Sequence, residues 1–161
     1  MTEALIEPDE VDRMEADILK LPPIDLPLVH SFTPGAYVRQ IFMPAGARLT
    51  SMTHKTRHHF VILTGEIAVI SGTEKIIYKG PHVGITEAGT KRVLMALKDT
   101  VWLTFHPNPD DVTDPDELVE QITEPNDNPL FKGMEDHPRI NVWKKDVSPS
   151  LTVDRTEKLI S

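Results

Sequence analysis

Along the middle of the chain, short apolar-rich runs alternate with turn signals. Eight such runs begin at Tyr37, Ala47, His59, Glu66, Lys75, His82, Lys91 and Val101. Between them stand Pro44-Ala45-Gly46, Thr64-Gly65, Ser71-Gly72-Thr73, Lys79-Gly80-Pro81, Ala88-Gly89 and Lys98-Asp99. Runs this short, separated by glycine, proline and small polar residues, predict antiparallel strands of a sandwich or barrel. Helical spacing occurs only at the flanks. Val11, Met14, Ile18 and Leu19 line one face of a predicted short helix over residues 8–20. It should end before Pro22 and Pro23. Asp114 or Asp116 is placed to cap a second short helix that ends near Pro125.

This pattern divides the chain into three zones. Residues 1–35 are a helix and a proline-rich lead-in, residues 36–107 a β-barrel, and residues 108–161 a short helix followed by an extended arm. Phe131, Val142 and Trp143 would be wasteful in solvent, so the arm is expected to pack on its own barrel or on a partner's. With 161 residues and 39% hydrophobic content, the chain is sized for one domain with extensions. Its fourteen prolines mark loops and arms.

Charge and composition narrow the function classes. A net charge of −8, from 25 acidic and 17 basic residues, argues against general nucleic-acid binding, which needs a basic footprint. It leaves room for a local basic pocket. The absence of cysteine removes disulfides, zinc-thiolate sites and thiol nucleophiles. The acidic N-terminus has no apolar core of a secretory signal, and no apolar run approaches the roughly 20 residues that span a bilayer. A cytoplasmic protein without membrane partners is the expectation.

The stretch over residues 46–65, GARLTSMTHKTRHHFVILTG, carries the most chemistry. With the glycines and turns of residues 80–92, it resembles the two-block layout of the cupin superfamily. That family's first block is written G-x5-H-x-H-x3,4-E-x6-G. Anchored on Gly65, its two histidine positions fall on Met52 and His54, and its glutamate position on His58. In the second block, Gly80 opens, Glu87-Ala88-Gly89 replaces P-x-G, the third histidine position is Arg92 and the asparagine position is Ala96. The resemblance covers about half of the chain and implies an all-β fold, an antiparallel double-stranded β-helix or jelly roll. Among the ligand positions only His54 is literal. Some phage and bacterial cupin-like proteins also carry a histidine at the end of the last barrel strand, which here is His106.

Strand alternation tests these positions. Thr50, Met52 and His54 share a face, as do His58, Phe60 and Ile62, while His59 points the other way. A one-residue slip in the preceding loop would exchange His58 and His59. If His106 points inward, His54, His58 and His106 could bind a divalent transition metal such as zinc, iron, manganese or nickel. Arg92 opposes a nearby cation unless an anion neutralises it. The second reading is therefore an anion pocket: Arg92 as the fork, His54 and His58 with Tyr37 or Tyr78 as donors, and Met52, Phe60 and Trp102 as walls. The same histidines also suit a polar turn bonded to backbone carbonyls.

Three functions follow. The first is a binding protein for an anionic metabolite (a sugar acid, sugar phosphate or nucleotide) with a regulatory or sequestering role. The second is a cupin enzyme of oxygenase or isomerase type, either metal-dependent or using His54 or His58 as general base. The third is a phage-type structural or assembly protein. The resemblance also implies a homodimer formed through sheet edges.

Overall fold

The computed structural model describes residues 7–134 and residue 137. Nine strands form two antiparallel sheets: β1 (Leu28–Thr33), β2 (Gly35–Met43), β3 (Arg48–Thr50), β4 (His58–Thr64), β5 (Glu66–Ser71), β6 (Glu74–Lys79), β7 (His82–Thr86), β8 (Val93–Ala96) and β9 (Thr100–Asn108). The first sheet has the order β1-β2-β9-β4-β7 and the second β3-β8-β5-β6. Without β1, this is the strand order of an eight-stranded jelly roll, the architecture of cupins. The fold is therefore cupin-like, a double-stranded β-helix with one added edge strand.

That edge strand departs from the expected lead-in. Residues 28–33 pair with β2 in unbroken register, from Leu28 opposite Ile41 to Thr33 opposite Ala36. The sheet thus opens at Leu28, ahead of the expected boundary at residue 36. Pro27 and Pro34 bracket the strand without entering it, and prolines are tolerated at such margins.

Between the sheets, Met43, Ala47, Phe60, Ile62, Ile67, Val69, Leu94, Ala96 and Trp102 form the core. On β4, His58, Phe60 and Ile62 are buried, while His59 is exposed. Phe60 lies opposite Gly84 of β7. A Cβ on Gly84 would come within 2.3 Å of the Phe60 ring, so glycine is what lets that ring lie flat against the strand. The ring then stacks on Trp102 at 4.6 Å and 7°.

Two helices brace the second sheet and the loop after β3. The first, α1 (Glu10–Leu19), opens with a reciprocal cap between Asp9 and Asp12. Its Glu15 meets Lys91 at 2.6 Å, and Asn128 ties both Asp12 and Glu15 to the 3-10 turn Pro129–Phe131. Phe131 is buried there. Val142 and Trp143 lie outside the described residues. The second helix, α2 (Pro115–Ile122), is capped by Asp114. Among the described residues, no helix is long and apolar enough to cross a membrane.

Candidate metal and anion site

His54, His58 and His106 arrive from three different segments. His58 opens β4, and His106 lies near the end of β9, directly opposite Tyr37. His54 belongs to no strand. The end of α2 fixes it instead: it pairs with Thr123 as an isolated bridge, Lys55 N–H donates to the Ile122 carbonyl at 2.8 Å, and Glu124 N–H to the Thr53 carbonyl at 2.8 Å. The three rings converge with centroid separations of 4.4 Å (His54–His58), 4.8 Å (His54–His106) and 4.6 Å (His58–His106). All three residues are buried, and one ligating atom from each lies within 4.8 Å of the other two. Two nitrogens on one zinc ion lie about 3–4 Å apart. The cluster is thus close to the spacing a metal needs, and slightly expanded.

Hydrogen bonding sorts the ring nitrogens. His58 Nδ1–H donates to the Thr56 carbonyl at 3.1 Å, leaving Nε2 with its lone pair. His106 Nε2 lies 2.8 Å from Thr104 Oγ1, while its buried Nδ1 has no partner. One nitrogen held by a protein oxygen and the other left over is how metal-binding imidazoles are oriented. The donor set suits a divalent transition metal on chemical grounds as well.

Charge on this cluster is strongly disfavoured. Burial, followed by the facing rings of its two partners and by Arg39, pushes His106 down to about 2. Burial and then His58 and Arg39 push His54 down to about 3. His58 is also lowered, chiefly by burial, with the Thr56 carbonyl pulling the other way. The three imidazoles are therefore neutral at pH 7, as metal ligands must be.

This has a consequence for stability. An unfolded histidine titrates near 6.5, so below that pH the unfolded chain binds protons that the folded chain refuses. Stability is full above about pH 6.5 and falls as the pH drops toward the folded values, by on the order of 1 kcal/mol per pH unit for each ring. Urea unfolding with chelator present, between about pH 7 and about pH 5, should show this slope, and His106→Gln should flatten it. An unchanged slope in the variant would contradict the buried neutral ring.

Arg92 enters from the opposite sheet, just ahead of β8, and is 8% exposed. Its guanidinium carbon lies 5.1 Å from the Phe60 ring centroid and 5.5 Å from that of Trp102. Nη2 donates to Thr86 Oγ1 at 2.7 Å, and the buried Nε has no partner. Arg92 thus sits in the same interior as the triad, near enough for its charge to depress both His54 and His58.

Other expected site residues fall differently. Phe60 and Trp102 wall the interior. Met52 borders a separate cavity of about 570 Å³ between α1, the lead-in and β3, together with Arg48 and Leu49. The alternation that grouped Met52 with His54 stops where β3 ends, at Thr50. Tyr37 is fully buried, stacks on His106 at 5.8 Å, and holds His30 Nδ1 at 2.6 Å from its hydroxyl. Tyr78 meets Phe60 edge-on at 5.7 Å. Sequence reasoning passes over Thr86 and Arg39, and takes His30 as structural or exposed. For Arg39 a signal exists: it lies two residues after Tyr37 on the same strand, hence on the same face.

No protein-family model matches the chain, and no curated protein does. Solved structures do show similarity. A cupin superfamily protein from Desulfitobacterium hafniense is 12% identical over 57% of this chain and 85% of its own, with a TM-score of 0.47. The cupin domain of Schizosaccharomyces pombe Cnp3 is 20% identical over 56% and 67%, with a TM-score of 0.45. An RmlC-like cupin with a double-stranded β-helix fold from Methanocaldococcus jannaschii is 14% identical over 56% and 88%, with a TM-score of 0.45. The cupin-like fold of this chain rests on its own strand order.

Proposed function

We propose that this chain is a ligand-binding cupin-fold protein. In this reading a divalent transition metal is held by His54, His58 and His106, and an anionic metabolite docks beside it on Arg92. The observation that carries the reading is the convergence of three buried, neutral imidazoles, two of which have one ring nitrogen engaged and the other left over. Three protein ligands leave coordination positions open, the arrangement of reactive rather than purely structural sites. The metal, when bound, supplies a Lewis acid for a donor atom of the metabolite. The chain's own residues do the rest. Arg92 orients the acidic group, Thr86 fixes the Arg92 fork, and the Phe60–Trp102 stack keeps water from that side of the interior.

The class of metabolite is a sugar acid, sugar phosphate or comparable small anion, because a buried guanidinium favours a carboxylate or phosphate partner. The experiment is metal loading. Protein equilibrated separately with zinc, nickel, manganese and ferrous ions, then desalted without chelator, should retain about one ion per chain of at least one metal. Retention of none would remove the metal from the reading. In the loaded protein, a sugar acid or sugar phosphate should raise the melting temperature of wild type but not of Arg92→Gln. Equal shifts in both would remove Arg92.

A further inference from the structure

A second guanidinium belongs to the sheet face that carries Phe60 and His106. Arg39 follows Tyr37 by two residues on β2, and its Nε is buried without a partner. Tyr37 packs on the His106 ring of the triad, and residues 37 and 39 share a face of the strand. Arg39 is opposite Thr104, and Thr104 is opposite Phe60, whose ring carries Arg92. Neighbouring strands lie about 4.8 Å apart, so the backbone at Arg39 is about 10 Å from that at Phe60.

Among the described residues, neither arginine takes part in an ion pair. The ion pairs among the described residues use Lys20, Arg57, Lys91 and Lys98. The imidazole cluster contains no carboxylate either. Among the described residues, two arginines thus stand without a carboxylate partner beside one sheet face. Arg92 is buried and Arg39 half-buried, and a guanidinium left unpaired in such surroundings is costly until an anion arrives.

We propose that the ligand carries an acidic group at each end, one received by Arg92 with Thr86 and the other by Arg39, so that it spans the face of the histidine cluster. Short dicarboxylates have this chemistry. The proposal rests on the reading of Arg92 as the anion receiver, and it adds Arg39 as the residue that selects two-ended over one-ended acids.

Calorimetry on the full chain, as purified and after zinc loading, tests it with succinate, glutarate and adipate against butyrate. The best dicarboxylate should bind at least about tenfold more tightly than butyrate, the equivalent of one charge-assisted hydrogen bond. Arg39→Gln should erase that advantage and leave butyrate affinity unchanged, while Arg39→Lys should keep part of it. Arg92→Gln should weaken both kinds of acid. Near-ultraviolet dichroism of Trp102 checks that each variant retains the core. If Arg39→Gln leaves the advantage intact, or butyrate binds wild type as tightly as every diacid, the two-ended ligand is wrong and the Arg92 reading stands. If Arg92→Gln has no effect, or no carboxylate binds, the parent reading falls and takes this one with it.

Discussion

His106→Ala should lower metal affinity by at least about 100-fold, since loss of mere outer-sphere partners already costs 10–100-fold. His106 is the residue to remove because both other rings meet it, and because its buried Nδ1 has no partner in the protein. Thr104→Val tests the same geometry more gently. It deletes the hydroxyl 2.8 Å from Nε2 while keeping the ring, and about a tenfold loss is expected. Competition against a metallochromic indicator gives both numbers. A His106→Ala protein that binds as tightly as wild type would move the metal away from this cluster. One with two-state unfolding but no affinity would locate it there. The apo forms carry the opposite sign: removing a buried ring that resists protonation should make the variant less sensitive to acid than wild type.

Local periodicity made most of the fold legible, because each inner strand buries alternate residues against one core. All eight runs became strands, and both flanking helices formed where acidic caps precede apolar spacing. β1 was hidden because its flanking prolines read as an extended lead-in, and only pairing with β2 makes a strand of residues 28–33. The choice between His58 and His59 turns on a contact remote in sequence. The missing side chain at Gly84 receives Phe60, which sets the inward phase of β4 and with it His58. His54 sits where it does because α2 clamps its backbone, a constraint without any local sequence signal. Met52 and His54 part for the complementary reason, since alternation holds only while the chain is in a strand and β3 ends at Thr50. Arg39 is legible from period two, although it lies ahead of the two blocks that carry the family layout.

Gly65→Ala should be the most damaging small substitution in the barrel frame, costing about 2–5 kcal/mol. Two effects add. Gly65 has φ +104°, where an L side chain is strained by about 1–2 kcal/mol. Its Cβ would also stand 2.4 Å from the Asp99 carbonyl oxygen, 2.4 Å from Thr100 Oγ1 and 2.6 Å from Thr100 Cα. Two of these are backbone atoms at the start of β9, and Thr100 is fully buried, so the clash cannot be relieved by swinging a side chain aside. Overpacking of that kind costs about 1–3 kcal/mol. Gly46 separates the two effects. It has φ +89° but nothing within 4 Å of its Cβ position, so Gly46→Ala should lose only the backbone share, about 1–2 kcal/mol. Urea midpoints of the two variants give the comparison, and equal losses would mean that the contact with β9 is not made. Against a total stability of about 5–15 kcal/mol, the Gly65 variant should lose a large share of its margin. The site itself should be spared. Gly65 lies beyond the end of β4 opposite to His58, and it touches the beginning of β9 rather than the end that bears His106. The fraction that remains folded should therefore bind metal with wild-type affinity, and metal should raise its midpoint by mass action.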